Sequence, residues 1–90
     1  MTIWKFPLEI TEEQLVEIPR AARPLSVQFQ GDGLVLWAMV DPAEALIVQR
    51  IAILGTGEDA TWLKDWTYLG TVQERYRPLV RSSVWHVFIR

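Results

Sequence analysis

The spacing of apolar and polar side chains changes character along residues 24–40, PLSVQFQGDGLVLWAMV. Leu25, Val27 and Phe29 alternate with Ser26, Gln28 and Gln30, the two-residue period of a half-buried strand, whereas residues 34–40 are apolar on both faces. Gly31-Asp32-Gly33 separates the two runs, and glycine accepts positive φ without a Cβ clash, so the segment predicts a tight hairpin. Its first strand should cover one side of a core and its second should lie central in a sheet.

The same reading extends along the chain. Residues 2–6 predict a first strand, with Trp4 and Phe6 on one face and Pro7 suited to an edge or strand end. Residues 11–14, Thr-Glu-Glu-Gln, have capping-box spacing, but Val16 and Ile18 alternate with Glu17 and two prolines follow, so a strand over residues 14–18 is preferred to a helical turn. Asp41-Pro42-Ala43-Glu44 suits one helical turn or a tight turn. Residues 46–54, LIVQRIAIL, form a long strand that should pair near the hairpin. The adjacent Gln49 and Arg50 suggest a bulge or a crossing between sheets. Residues 66–73 predict a sixth strand interrupted at Gly70, and residues 84–89, VWHVFI, a seventh apolar on both faces and therefore covered on both. About seven short strands without a normal-length amphipathic helix predict an all-β fold, a small antiparallel β-sandwich or curled sheet forming one domain over residues 1–90.

Composition narrows the functional classes. Ninety residues can bury one core near the lower size limit, so the chain must bury its apolar residues efficiently or share a surface with a partner. Five tryptophans are a heavy load for that length, and Trp is enriched both in cores and at binding surfaces. Absence of cysteine excludes disulfides, thiolate catalysis and cysteine-ligated zinc and suits a reducing cytoplasm. No apolar run reaches the roughly 20 residues of a membrane-spanning helix, and the N-terminal residues lack signal-peptide character. A net charge of −2 argues against nonspecific nucleic-acid binding. Residues 1–45 carry three basic and seven acidic side chains and residues 46–90 carry six and four, so opposite faces of two copies are expected to attract, and a homo-oligomer is expected.

Catalytic chemistry finds little support. The Gly55-Thr56-Gly57 turn lacks both the Gly-Lys-Ser/Thr ending of a phosphate loop and the third glycine of a dinucleotide fingerprint. The single histidine, His86, sits in an apolar strand and reads as a satisfied, partly buried side chain. Ser82 and Ser83 lie near it without a nucleophile-elbow pattern, and the carboxylate pairs Glu12-Glu13 and Glu58-Asp59 are adjacent rather than convergent. No enzyme activity, metal or cofactor is expected. Two loops stand out as binding elements. Trp62 and Trp66, in and bordering the loop at residues 58–65, offer rings for stacking or anchoring. Arg75, Arg77 and Arg81, around Tyr76 and Pro78, have the bidentate donors that hold phosphate or carboxylate.

The combination IWKFPLEI, LSVQ, LWA-x-VDP, a GTG turn, YLGTVQ and VWHVF resembles a family of short proteins encoded by phages and prophages. The likeness spans nearly the whole chain and is most specific over residues 36–42 and 84–88, while residues 74–81 are richer in arginine than in the shorter members. The resemblance implies an origin and carries no active site with it. By analogy with small non-virion phage proteins, it implies a cytoplasmic counter-defence factor, acting either by sequestering a small anionic nucleotide signal or by blocking a host protein. In the first mode Arg75, Arg77 or Arg81 would hold phosphate and Trp62 or Trp66 would stack a base. A structural or assembly accessory of a phage particle is the alternative.

Overall fold

A computed structural model describes residues 1–74 and 83–90. Seven strands follow in order among these residues: β1 (Thr2–Leu8), β2 (Glu13–Pro19), β3 (Arg23–Gln30), β4 (Gly33–Val40), β5 (Leu46–Gly55), β6 (Thr67–Gln73) and β7 (Val84–Ile89), with one 3-10 turn, Thr61–Leu63, ahead of β6. All strand pairings are antiparallel and build two sheets, β1-β4-β3 and β2-β5-β7-β6. The fold is all-β, two sheets face to face.

The hairpin forms where the change of period places it. Gln30 pairs with Gly33 across the two-residue turn Gly31-Asp32, in which Gly31 has φ of 62°. Glycine at positive φ in the first turn position is what a two-residue loop between twisted strands demands. β4 is central in its sheet, between β1 and β3. Its inward residues Leu34 and Leu36 meet Leu8 and Val27 of the same sheet and Ile18, Ile51, Ile53, Val72, Val87 and Ile89 of the other, all buried in one cluster. That shared layer holds the two sheets together, each buried aliphatic side chain contributing about 1.5–3 kcal/mol by burial.

Two expectations about β5 are corrected. It pairs with β2 and β7, in the sheet that does not contain the hairpin, and its register with β2 runs without a break past Gln49 and Arg50. The reversal at residues 41–44 explains the change of sheet. Asp41 accepts the Ala43 N–H on its side chain (3.0 Å) and the Glu44 N–H on its carbonyl (3.0 Å), a tight turn that redirects the chain. Gln49 and Arg50 then alternate normally, Gln49 inward and half-buried, Arg50 outward and exposed. The irregularity at Gly70 is present: the register of β6 on β7 shifts between Tyr68 and Gly70. Gly70 approaches β3 closely there, since a Cβ on it would lie 3.1 Å from Val27 Cγ1. No helix among the described residues is long and apolar enough to cross a membrane.

Candidate partner-binding surface

Strand alternation assigns the outer face of the four-stranded sheet. In the β2–β5 ladder, Glu13 lies opposite Ala52, Leu15 opposite Arg50 and Glu17 opposite Val48. Gln14, Val16 and Ile18 alternate with these and point to the core side, so Glu13, Leu15 and Glu17 face outward with Leu46, Val48, Arg50, Ala52 and Leu54. On β7 the outward residues are His86 and Phe88.

Half of this face is covered by the chain itself. After Gly55 the connection to β6 folds back, and Leu63 and Trp66 pack on Ala52, Leu54 and Phe88 as a second buried cluster. The turn that makes this possible is pinned by Asp59. Its carboxylate accepts the Thr61 N–H (3.1 Å) and hydroxyl (2.7 Å), and its carbonyl accepts the Trp62 indole N–H (3.2 Å). The Thr61 hydroxyl, and then its backbone N–H, hold the Asp59 carboxyl below the usual carboxylate range. Trp62 then meets Trp66 edge to face, with ring centroids 5.4 Å apart.

Arg50 marks the border of the covered half. Its guanidinium carbon stands 5.0 Å from the centre of the Trp66 ring, and its Nε donates to Glu13 Oε2 at 2.5 Å. That bond lowers the Glu13 carboxyl pKa and raises the Arg50 guanidinium, each stabilising the other's charge. Beyond Arg50 no described residue covers the face. Leu15, Val48 and Leu46 are 68%, 59% and 55% exposed, and Trp62, at 36%, borders a shallow hollow with Glu12 and Glu13. One surface thus carries Trp62, Arg50, Leu15, Val48 and Leu46, with Glu13 and Glu17 along β2. Aromatic and arginine anchors beside apolar contact area, with charges toward the rim, is the composition of a protein interface.

Two further features lie away from the bare strip. His86 is held from both sides, its Nε2 2.8 Å from the Thr56 hydroxyl and its Nδ1 2.9 Å from the Thr71 hydroxyl, which also meets the Tyr68 hydroxyl at 2.5 Å. Threonine hydroxyls both donate and accept, so either tautomer is satisfied, and the imidazole clips the β5–β6 connection to β6. A groove of about 960 Å³ runs between the facing edges of β3 and β6. The charged side chains among its described lining are Asp32 and Glu74, and Glu74 accepts the Trp85 indole N–H at 2.9 Å. An acidic lining repels phosphate.

The predicted site residues separate. Trp62 is on the exposed surface. Trp66, 8% exposed, is a core residue of the second cluster, its ring taken by Leu63, Trp62 and Arg50, which corrects its assignment as a free stacking platform. Arg75, Arg77 and Arg81 lie outside the described residues. Leu15, Leu46, Val48 and Arg50 were not singled out from the sequence. Their signal was present in the alternation of β2 and β5, which places Leu15 among glutamates and Val48 two positions from Arg50, but which face is covered depends on where the β5–β6 connection lands. Among the described residues no group of three or more His, Cys, Asp or Glu side chains gathers as metal ligands.

A family model described as a domain of unknown function, DUF7352, matches residues 1–90, and the chain belongs to that family. No curated protein and no solved structure matches it.

Proposed function

We propose that the protein is a non-catalytic binding protein that works by laying the outer face of its four-stranded sheet on a partner protein and occluding it. The observation that carries this reading is the continuous bare strip from Trp62 through Arg50 and Leu15 to Val48 and Leu46, beside a half of the same face that the chain covers for itself. A chain able to fold Leu63 and Trp66 over one half leaves large aliphatic side chains in water on the other, where each loses the benefit of burial until a partner supplies it. Of the two modes that the phage-family resemblance implies, blocking of a host protein therefore fits better than sequestration of a nucleotide signal. The rings that sequestration would use are reduced to Trp62, and Arg50, which stands over Trp66, is already paired with Glu13.

Photo-crosslinking in the producing cell tests the reading. A benzophenone side chain at Leu15 or Val48 should trap one discrete protein, identified by mass spectrometry, whereas the same group at Gln28 on the opposite sheet should trap none. With that protein purified, Trp62→Ala and Leu15→Ala should each weaken binding by about 30-fold, the cost of about 2 kcal/mol typical of an anchor residue. Calorimetric binding of a nucleotide that disappears in Trp62→Ala would overturn occlusion in favour of sequestration.

A further inference from the structure

The outer face of the three-stranded sheet follows the same alternation and carries a different chemistry. Leu34, Leu36, Ala38 and Val40 of β4 are buried on one side, with Leu34 and Leu36 in the main core, so Val35, Trp37 and Met39 emerge on the other. Residues opposite one another in a ladder share a face. Register sets Lys5 of β1 and Ser26 of β3 opposite Trp37, Gln28 opposite Val35, and Arg23 opposite Met39. Lys5 lies across the sheet. Its Nζ donates to Gln30 Oε1 on the far strand β3 (2.8 Å), so its stem passes over β4 and accounts for the burial of Val35 on an outward face. Lys5 and Arg23 are the charged strand residues that emerge here, and neither meets an acid. Glu9, Asp32 and Asp41 are confined to the turns beyond the strand ends. The Lys5 ammonium is held by a neutral amide, and Arg23 has no hydrogen-bond or ion-pair partner among the described residues. The half-buried Trp37 also has no partner for its indole N–H among them, whereas the Trp62 and Trp85 indoles donate within the chain.

We infer that this face binds a nucleotide, its base stacked on Trp37 and its phosphates held by Arg23 and Lys5. The charges fit an anion, and the arrangement around them selects which one. Along β4, Arg23 lies on the Met39 side of Trp37 and the Lys5 ammonium on the Gly33 side, where Gln30 pairs. A nucleotide within a single strand has a phosphate on either side of its base and engages both cations; a free nucleotide engages one. Gln28 Nε2 donates to Ser26 Oγ (3.1 Å), and this pair keeps further donors and acceptors for a base edge. An acidic peptide would use the two cations but leave the indole and the amides idle. An aromatic platform among cations and amides is the recurrent means of holding unpaired bases. The net charge of −2 does not oppose this locally. Glu13 and Glu17 line the outer face of the other sheet, about 10 Å away by sheet spacing alone, beyond the screening length of about 8 Å at physiological ionic strength. The site is on the opposite sheet from the partner surface, and each reading stands or falls without the other.

Titration of the unmodified 90-residue chain with a short oligothymidylate, with ADP and with an oligoglutamate tests it. The oligothymidylate should bind and quench tryptophan fluorescence, with log K falling against log salt at a slope of about −1.4, two phosphates at about −0.7 each. Arg23→Gln should halve that slope, and Trp37→Leu should weaken binding by about 5- to 150-fold, the range for loss of one stacked base. Trp62→Ala, on the other sheet, should change neither. If Trp37→Leu does not fold, Trp37→Phe decides in its place: it keeps a ring, so it should retain binding and lose the quench. ADP binding with the same losses, and no binding of the oligothymidylate, would assign the site to free nucleotides. Absence of binding by both nucleotide probes at about 0.5 mM and low salt would overturn the inference. So would an oligoglutamate that binds as tightly as the oligothymidylate, or binding that Arg23→Gln and the Trp37 variants leave unchanged.

Discussion

The seam between β3 and β6 offers a sharp test of how the two sheets meet. Gly70 is not in the left-handed region, so alanine there meets no backbone objection; the cost is steric. Its Cβ would lie 3.1 Å from Val27 Cγ1, against an optimum of about 3.5–4.0 Å, so one side must yield by about 0.4 Å or more. Val27 is buried in the main core and has little room to move. Overpacking of this kind costs about 1–3 kcal/mol, and the lower entropy of the unfolded alanine chain offsets about 0.4–1 kcal/mol. Gly70→Ala should therefore destabilise by about 0.5–2 kcal/mol in urea unfolding followed by tryptophan fluorescence, or lower the melting temperature by about 4–8 °C for each kcal/mol. Val27→Ala alone should cost about 2–3 kcal/mol as a truncated core residue. The double variant is decisive, because the new methyl at position 70 occupies space vacated at position 27. Its cost should fall short of the two single costs added together by about 1 kcal/mol. Additivity within about 0.5 kcal/mol would mean that these side chains do not touch and would refute the seam as described.

Two other outcomes follow from local geometry. Ala21 has φ of 61° in the exposed turn closed by the Ala22 N–H on the Pro19 carbonyl (3.2 Å), a conformation that costs a non-glycine residue about 1–2 kcal/mol. Ala21→Gly should raise the urea midpoint and Ala21→Val should lower it; the reverse order would contradict the turn. The Glu13 and Asp59 carboxyls are both held below their ordinary values, Glu13 by the Arg50 hydrogen bond and Asp59 by Thr61. Each therefore contributes stability that is fully present above the unfolded carboxylate pKa and is lost as pH falls through the lower folded value. A urea-midpoint series from pH 7 to pH 2 should decline less steeply for Glu13→Gln than for the unmodified chain, and identical slopes would show that the Glu13–Arg50 bond is absent in solution.

Much of the architecture is legible in local pattern. Gly31-Asp32-Gly33 between runs of different period specifies the hairpin, the two-faced apolarity of residues 34–40 and 84–89 marks β4 and β7 as central strands, and Gly70 marks the bulge. These are local statements, and local chemistry decides them. What escaped reading is long-range. Gln49 beside Arg50 looks like a defect until Glu13, 37 residues earlier, is known to meet the guanidinium on the outer face. Trp66 looks like a loop ring until Ala52, Leu54 and Phe88 are known to receive it. Thr56 and Thr71 give no sign in sequence of enclosing His86, since they come from different elements. The candidate surface was hidden for the same reason. Exposure of Leu15 and Val48 is a property of where the β5–β6 connection stops, and no window around either residue contains that information.

β7 is the final strand in chain order, yet it sits in the interior of its sheet, with β5 on one side and β6 on the other. The three-stranded sheet is complete in the first forty residues, whereas β6 has no hydrogen-bonded neighbour until residues 84–89 arrive. During synthesis at about 5–20 residues per second, the early sheet therefore waits on the order of seconds with its apolar inner side uncovered by a finished second layer. The C-terminal strand acts as a keystone: a polypeptide cut short before Val84 keeps most of its mass but has no place to anchor Val72 or the far side of Ile51 and Ile53. Without residues 84–89 the inner faces of β5 and β6 lose the strand that joins them, so limited proteolysis should cut such a fragment faster than the chain that contains β7.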